Sequence, residues 1–570
     1  MTPRRFHGWI VLAAAACVLL TRLGAAPLWD DDEPKNAACS LAMFDTGDWV
    51  VPMYNGRLRI EKPPLVNWIQ IAGMAFFGRT EWGVRIGSAV LTMGTCLLTW
   101  RIGLVLFSPQ VGLMAGLAMA TCLWTAVGGR ASTPDAPLVF CTTLTLFLFA
   151  RDAAASSSGG PSGVRLSRLT AVAIGAACGA AVLTKGPIGF LLPATACAAF
   201  AACRGARASG VTVRDLIRGL RPLVITATTL AVALPWYAWV ADRTDGAWLR
   251  GFLFVHNAGR FAAPMEGHSG SLLYYPTVLA IGMFPWSIVF GLVLVHAVAV
   301  LRGSDAGNRR SMLLLGCWMA AWLGPLSLAA TKLPGYIWPA YPALSVATAV
   351  FLDACIRRDV PWLDGIRRPR LSVETAMRLG WCFLAGGGLI IAIGLPVVTS
   401  RWAPGGEWLG LIGLVPMIGA AIAWRFSSSG RPGASILALV ATACLLTTLM
   451  ASVAAPCIGH RASPRILFAT AMDTETSARA LAAYPHPAPS LVFYAGGTVE
   501  RLANATDVAR HVASRDDARV VVDARFLDEI THAIPATHGV IARVDTISAG
   551  SLVLIGPVAP PKVVFHDGGL

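Results

Sequence analysis

Charged residues are scarce in this chain of 570 residues. Only 14% are Asp, Glu, Lys or Arg, whereas 55% are hydrophobic, and the mean hydropathy is +0.62. Because soluble domains carry about 25% charged residues, this composition excludes a soluble globular enzyme and predicts an integral membrane protein. The formal net charge of +15 would suit nucleic acid. However, the arginines cluster in short segments between apolar runs, as in cytoplasmic loops, so we expect no nucleic-acid partner.

Cysteine motifs and internal repeats are also lacking. The 13 cysteines show no CxxC spacing, and nearly all lie inside apolar segments, where cysteine acts as a small hydrophobic residue. Cys39 and Cys457 alone lie in predicted outer loops, and we give little weight to a disulfide between them. No repeat of solenoid period is present.

Long apolar runs dominate the first 456 residues. A helix needs about 20 apolar residues to cross a hydrocarbon core of about 30 Å. The run at 65–77 is shorter and predicts an interfacial or re-entrant helix. The first run follows Arg4 and Arg5 and resembles a signal peptide, but the many later spans favour an uncleaved first helix. The thirteen predicted spans are residues 8–28, 83–107, 111–129, 134–150, 168–187, 188–203, 222–241, 274–301, 311–331, 337–356, 379–398, 409–426 and 434–456.

The arginines predict how these spans are oriented. With thirteen spans, every arginine-rich short connection falls on one side of the membrane, which the positive-inside rule places in the cytoplasm. The N-terminus is then inside and the C-terminus outside. A stretch rich in Ser and Gly, 156–163, is predicted to be a flexible cytoplasmic connection. The predicted inner connections are residues 151–167, 204–221, 302–310, 357–378 and 427–433.

The composition changes after the last apolar run. Short β-rich runs alternate with helical patterns, which predicts a small soluble α/β domain on the outer face, residues 457–570. Residues 1–456 are then the transmembrane domain, with outer loops at 29–64 and 242–273. The predicted strands are residues 491–494, 520–522 and 551–555, and the predicted helices are 474–483 and 505–514.

Polar residues concentrate in the predicted first outer loop. Residues 27–65, PLWDDDEPKNAACSLAMFDTGDWVVPMYNGRLRIEKPPL, hold four consecutive acids at 30–33, then Lys35 and the pair Glu61-Lys62. Ionisable groups at membrane depth are costly and usually mark function. Their convergence on one face predicts a site for an anionic, membrane-borne substrate. Further polar residues near span ends map to the same side: Asp135, Lys185, His256, Arg260, Lys332 and Tyr336.

Each of these residues also has a structural interpretation. Lys332 is equally typical of an interfacial anchor, and Asp135, after Thr133 and Pro134, of a helix N-cap. His256 suits a solvated loop, and Tyr336 suits an interfacial aromatic belt. One or two of the adjacent aspartates suit a solvated loop tip.

Short motifs in the membrane part resemble a known family. The pair Asp32-Glu33 followed by FDTGDWVVPMYNGRLRIEKPPL is similar to the first outer loop of the aminoarabinose (4-amino-4-deoxy-L-arabinose) lipid A transferases. These are bacterial GT-C-fold membrane glycosyltransferases related to the protein O-mannosyltransferases. The resemblance extends to about residue 350, and beyond it only the architecture matches. The other shared motifs are TKGP (184–187), FVHNAGRF (254–261), a Tyr-Tyr-Pro at 274–276, FPWS (284–287) and TKLPGYIWPAYPAL (331–344).

The resemblance implies an all-α GT-C membrane domain of about 13 helices and a glycosyltransferase activity. The donor would be a sugar on polyprenyl phosphate, in known members aminoarabinose on undecaprenyl phosphate. The acceptor would be lipid A at the periplasmic face of the bacterial inner membrane, a modification tied to polymyxin resistance. No nucleotide-sugar motif is evident, which agrees with a lipid-linked donor.

The resemblance also implies roles for individual residues. Asp32 matches the catalytic carboxylate, Glu33 is its partner in the acid pair, and Asp135 matches a second functional carboxylate. Glu61 and His256 resemble a divalent-metal site, for Zn, Mg or Mn, which waters or substrate oxygens would have to complete. Lys35 stands where the family commonly has arginine, so a bidentate contact is lost. The implied carrier-phosphate contacts are Lys35, Lys62, Lys185, Arg260, Tyr336 and Lys332.

Three other functions fit parts of the sequence. A related transferase would move another sugar to protein or polysaccharide, as protein O-mannosyltransferases do, and would need a base for a hydroxyl acceptor. A flippase of lipid-linked sugars would place its polar residues near the membrane midplane and show repeat symmetry, and neither is visible. A scaffolding protein without catalysis would not be expected to retain the site residues together.

Overall fold

The computed structural model describes residues 3–29, 31–155, 164–205, 212–259, 270–360, 373–461, 463–465, 467, 481–515, 517–546 and 550–558. Asp30, Arg260 and the predicted connection 156–163 lie outside these residues.

Helices make up nearly all of the membrane part. The α-helices are Pro3–Leu20, Asp32–Thr46, Leu65–Phe77, Glu81–Leu106, Pro109–Ala120, Leu123–Gly128, Asp135–Ala155, Arg168–Lys185, Ile188–Gly205, Val213–Leu220, Pro222–Arg243, Ala247–Arg250, Tyr274–Gly282, Phe290–Arg302, Ala306–Leu328, Tyr341–Arg357, Val373–Trp402, Leu414–Ser428, Pro432–Leu449 and Ala455–Arg461. Shorter 3₁₀ or π segments are Gly251–Gly259, Trp286–Val289, Pro334–Ala340, Glu407–Gly413 and Met450–Ala454.

The helix lengths agree with a multi-pass membrane protein. Within the described residues, nine helices are long and apolar enough to cross a membrane, and one bent pair raises this to ten. Three shorter apolar helices overlap predicted spans. Ile188–Arg204 matches its predicted span, whereas Phe6–Leu20 and Pro109–Ala120 end well before the predicted ends at residues 28 and 129. The count of thirteen spans therefore stays a prediction. The helix Leu65–Phe77 has the predicted bounds, and its place at the interface stays a prediction too.

Two predicted spans are not continuous helices. The span at 274–301 bends by 118° between Tyr274–Gly282 and Trp286–Arg302, where Pro285 has no N–H to continue the helix. The span at 111–129 breaks after Ala120. There the N–H of Leu123 donates to the Phe284 carbonyl at 3.0 Å instead of continuing the helical ladder.

The first outer loop is itself folded. After the helix Asp32–Thr46, β1 (Met53–Tyr54) and β2 (Arg57–Leu58) form an antiparallel hairpin. Its tip, Asn55-Gly56, has positive φ at both residues, as a type I′ turn requires. The chain then enters the helix Leu65–Phe77 through two prolines.

The C-terminal part is the predicted α/β domain. Its mixed sheet has the order β4-β3-β5-β7-β6, with β3 parallel to β4 and β5, and β7 antiparallel to β5 and β6. The last helical segment before it continues past the predicted boundary to Arg461. The strands are β3 (Leu481–Tyr484), β4 (Glu500–Arg501), β5 (Arg519–Asp523), β6 (His538–Thr546) and β7 (Gly550–Pro557), and the helices are Pro489–Tyr494, Ala505–Ala513 and Leu527–Ala533.

The predictions for single elements of this domain have different outcomes. The strands at 520–522 and 551–555 and the helix at 505–514 are confirmed. The predicted strand at 491–494 is wrong, because Pro489–Tyr494 is a helix whose buried face packs on the helix Asp32–Thr46. The end of the predicted helix at 474–483 is strand β3, and the rest lies outside the described residues.

The C-terminal domain contacts the first outer loop directly. Asn55 donates to the Val499 carbonyl at 3.1 Å and accepts from the Val499 N–H at 2.8 Å. The Tyr494 hydroxyl accepts from the Leu28 N–H at 3.0 Å and donates to Glu81 at 3.1 Å. Arg465 pairs with Glu81 at 2.8 Å. These contacts tie the domain to the segment that leads into Asp32.

Candidate active site

A small cavity lies where several predicted site residues meet. Its volume is about 130 Å³, and its polar lining consists of Glu61, Lys62, Lys185, His256, Thr331 and Tyr336. The remaining wall is mainly apolar and includes Leu138, Ile188, Leu192, Phe252, Trp322 and Leu326. Cations and a carboxylate above an apolar wall suit the phosphate and first carbons of an amphipathic ligand. We call this space the carrier cavity.

Two helix ends place a cation in the carrier cavity. Asp135 begins the helix Asp135–Ala155, and Lys185 ends the helix Arg168–Lys185. The Lys185 ammonium forms a short ion pair with the Asp135 carboxylate and lies 4.8 Å from the centre of the Tyr336 ring. A Cβ at Gly335 would come within 2.8 Å of the Asp135 carboxylate, so a larger residue there would displace this carboxylate. The resulting Asp135–Lys185–Tyr336 group fixes the ammonium.

Asp32 is surrounded by positive charge. It is the first residue of the helix Asp32–Thr46, where the helix dipole favours an anion. Desolvation by the surrounding protein is the largest single influence on the pKa of Asp32 and raises it. The combined cations outweigh this and lower the pKa below its usual value, so Asp32 is a carboxylate at neutral pH. These cations are Lys62, Arg59, Lys185 and Lys35.

Glu61 is held by an arginine that the sequence analysis did not single out. Buried Arg59 donates from Nε to Glu61 Oε2 at 2.9 Å and from Nη1 to the Lys35 carbonyl at 3.2 Å. Burial raises the pKa of the Glu61 carboxyl, but Arg59, with smaller effects of His256 and Lys35, lowers it overall. Alternation along the RLRIEK segment, which points Arg59 and Glu61 to one side of an extended chain, is a signal that could have identified Arg59.

The described residues offer few ligands for a metal ion. Among them, no three His, Cys, Asp or Glu side chains are grouped so that they could hold one. Glu61 and His256 both line the carrier cavity, but Arg59 already donates to Glu61. These two residues fit a divalent ion only if substrate or water oxygens supply the remaining ligands.

Glu33 lies in a buried ion pair. Arg85 contacts both carboxylate oxygens at 2.7 Å, and the backbone N–H groups of Ser132 and Trp29 also donate to them, at 2.9 and 3.2 Å. Arg85 further donates to backbone carbonyls of the segment before the acids, including that of Pro27 at 2.9 Å. Only the tertiary structure reveals this pairing, because 52 residues separate Glu33 from Arg85.

Two predicted phosphate contacts, Lys332 and Lys35, are placed elsewhere. Lys332 is buried, and its ammonium donates to the Ala329 carbonyl at 2.8 Å, while the neighbouring Thr331 lines the carrier cavity. Lys35 pairs with Asp31 at 3.2 Å and lines a different, larger cleft. Arg260 lies outside the described residues. Both Cys39 and Cys457 are free thiols.

The chain is similar to a known family model and to a solved structure. Residues 61–239 match the family model described as dolichyl-phosphate-mannose-protein mannosyltransferase. The crystal structure of ArnT from Cupriavidus metallidurans bound to undecaprenyl phosphate superposes with a TM-score of 0.75 at 22% identity. The match covers 96% of this chain and 98% of that one. The chain therefore has the fold of that structure, the GT-C fold.

The chain is also similar in sequence to aminoarabinose transferases. An undecaprenyl phosphate-alpha-4-amino-4-deoxy-L-arabinose arabinosyl transferase of Pseudomonas aeruginosa is 31% identical over 59% of this chain and 58% of its own length. The corresponding Edwardsiella ictaluri protein is 28% identical over 61% of this chain and 60% of its own length. The chain thus spans about 60% of the length of these relatives. These matches confirm the resemblance to the aminoarabinose transferase family.

Proposed function

We propose that this protein is a glycosyltransferase of the bacterial inner membrane. It transfers 4-amino-4-deoxy-L-arabinose from undecaprenyl phosphate to lipid A at the periplasmic face. The observation that carries this proposal is the carrier cavity, in which Lys62 and Lys185 face an apolar wall within electrostatic reach of the Asp32 carboxylate.

The cavity's charges suit the leaving group. When the bond between sugar C1 and the phosphate oxygen breaks, its electron pair passes to that oxygen, and the carrier phosphate gains negative charge. Lys62 and Lys185 are fixed cations that would stabilise this charge in the transition state. Asp135 holds the Lys185 ammonium in place through their ion pair, so little reorganisation is needed as the charge develops.

Asp32 stands near the reacting sugar in this scheme. An acceptor oxygen forms the new bond to C1. If that oxygen is a hydroxyl, its proton passes to Asp32. If it belongs to an already ionised phosphate, no proton moves, and Asp32 orients the sugar and stabilises positive charge developing at C1. The carboxylate form required in both cases agrees with its lowered pKa.

We further propose that Glu61 and His256 hold a divalent ion, Zn, Mg or Mn, together with substrate or water oxygens. When bound, such an ion would stabilise negative charge on the carrier phosphate. For Glu33 we propose a positioning role, because Arg85 and two backbone N–H groups already contact its oxygens.

Carrier binding by the purified protein tests this proposal. We expect Lys185→Met to weaken the binding of undecaprenyl phosphate by about tenfold or more, since a charge-assisted contact is worth about 1.5–3 kcal/mol. Arg79→Met is the matched control, because it removes a partly exposed cation paired with Asp45 outside the cavity. Equal binding by wild type and Lys185→Met would contradict the assignment of the cavity.

Transfer assays with the same preparation separate the acceptors. Reconstituted protein, undecaprenyl-phosphate aminoarabinose and either lipid A or a peptide rich in serine and threonine are expected to give product with lipid A alone. Product with the peptide would instead favour the protein-glycosylating activity that the matched family model describes.

A further inference from the structure

A second, much larger cleft separates the first outer loop from the C-terminal domain. Its volume is about 1080 Å³, slightly above the range typical of ligand sites, about 300–1,000 Å³. The hairpin wall includes Tyr54 and Arg57, and the domain wall includes His486, Arg501 and Arg525. We call it the outer cleft.

The outer cleft and the carrier cavity share a lining residue. Glu61 lines both this cleft and the carrier cavity. Asp31 and Lys35, on either side of Asp32 in the chain, also line the outer cleft. A ligand in the outer cleft would therefore lie beside the residues that flank Asp32 while the carrier cavity holds another molecule, as a two-substrate transfer requires.

Most of the charges in the cleft neutralise one another. Lys35 pairs with Asp31 at 3.2 Å, Arg59 pairs with Glu61, and Arg525 pairs with Asp523 at 2.6 Å. Each of these cations therefore has a carboxylate beside it.

Two arginines differ from this pattern. Arg501 donates to the Pro485 carbonyl at 2.9 Å and lies 3.1 Å from His486 Nε2, both uncharged acceptors when the histidine is neutral. Arg57 is exposed, and no carboxylate of the described residues pairs with it. Glu500, the neighbour of Arg501 in β4, also lines the cleft, but its carboxylate lies 3.3 Å from His511 Nδ1 and forms no ion pair with Arg501 among the described residues. One arginine stands on the hairpin and the other on the C-terminal domain, so each wall presents a guanidinium that has no ion-pair partner among the described residues.

We propose that the outer cleft binds the phosphorylated sugar head group of the acceptor, with Arg57 and Arg501 contacting phosphate. This inference rests on the proposed function, because it assigns the acceptor side of the same reaction. A guanidinium matches a phosphate through two parallel hydrogen bonds. The C-terminal domain thus forms half of the acceptor site, and its contacts with the membrane part, from Val499 to Asn55 and from Tyr494 to Leu28 and Glu81, hold it there.

Direct binding tests the proposal without requiring any transfer. The probe is the deacylated, bisphosphorylated glucosamine disaccharide, titrated calorimetrically into the full-length protein in detergent. The same disaccharide without phosphates is the reference ligand. We expect the bisphosphate to bind more tightly, and the double variant R57E/R501E to lose about tenfold or more of that affinity.

Matched variants keep the result interpretable. Arg510→Glu reverses an exposed arginine of the same domain that is not part of the cleft lining, and it is expected to bind as wild type does. Retained binding of undecaprenyl phosphate by R57E/R501E shows that the fold is intact. Equal affinity of wild type for the two disaccharides, unchanged affinity of R57E/R501E, or displacement of the bisphosphate by a serine-rich peptide would each overturn the proposal. Binding as expected without transfer to lipid A would count against the proposed function alone.

Discussion

At the residue scale, the site is organised by cations around one carboxylate. The ionised form of Asp32 is stabilised by the helix N-terminus and by nearby cations. Among these cations, Lys62 lowers the pKa of Asp32 most. The Lys185 ammonium forms an ion pair with Asp135 and lies over the Tyr336 ring. It also contributes to the lowered pKa of Asp32. The same side chains thus keep the carboxylate ionised and leave positive charge for a phosphate.

The lowered pKa of Asp32 predicts the acid side of the pH profile. Because the pKa of Asp32 is lower in the folded protein, its ionised form contributes stability that is fully present above the pKa of the unfolded chain, about 4. This stability is lost only as the pH falls through the pKa of the folded protein. We expect kcat at saturating donor to show no loss from Asp32 between about pH 5 and about pH 7.

Lys62→Met provides the comparison, because it removes the leading cation. The acid limb of kcat is expected to move to higher pH in this variant, whatever its absolute rate, while Arg79→Met leaves the limb where it is. An unchanged limb in Lys62→Met would contradict the electrostatic account of Asp32.

At the scale of elements, the start of the helix Asp32–Thr46 is fixed by polar contacts from neighbouring helices. Glu33 binds Arg85 of the helix Glu81–Leu106. Gln70 of the helix Leu65–Phe77 donates to the Ser132 hydroxyl at 2.7 Å and bonds Ser40. Arg130 donates to four carbonyls around the end of the first helix, such as that of Thr21 at 2.9 Å.

Glu33→Gln is predicted to act through stability. Removing one charge of a buried pair leaves the other uncompensated, at a cost of about 3–5 kcal/mol, so the melting temperature in detergent should fall clearly. Asp45→Asn is the control, because its exposed pair with Arg79 is worth about 0–1 kcal/mol. An unchanged melting temperature together with lost transfer would instead assign Glu33 a direct chemical role.

These elements also show how far sequence reasoning extends. Charged residues at span ends, such as Lys62, Lys185 and His256, are visible because they interrupt apolar runs, and the carrier cavity does bring them together. The partners Arg59 and Arg85 were not identified, since their roles depend on contacts across the fold. The segment 491–494 has strand-forming residues, but Pro489 at the helix start and packing against the helix Asp32–Thr46 override that preference.

At the scale of the whole molecule, the C-terminal domain is joined to the membrane part through the first outer loop. Tyr494 bridges Leu28 and Glu81, and Asn55 makes two hydrogen bonds to Val499. The domain thereby contacts the segments before and after the helix that carries Asp32, which links its position to the geometry of the site.

Tyr494→Phe is predicted to loosen this junction. It removes the hydroxyl that joins the Leu28 N–H to Glu81, so limited proteolysis should release the C-terminal domain several-fold faster, and the rate of transfer should fall. Tyr484→Phe makes the same chemical change inside the domain, beside Phe526, and should have little effect on release. Faster release from Tyr484→Phe than from Tyr494→Phe would contradict the proposed junction.

The most direct test of the central claim is mass spectrometry of lipid A from cells that lack this protein. The cells are complemented with wild type, Asp32→Asn or Asp30→Asn. The account predicts an aminoarabinose adduct with wild type, none with Asp32→Asn, and a mild reduction with Asp30→Asn. An adduct that persists with Asp32→Asn would contradict the role of this carboxylate, and lipid A that is identical in all strains would contradict the proposed acceptor.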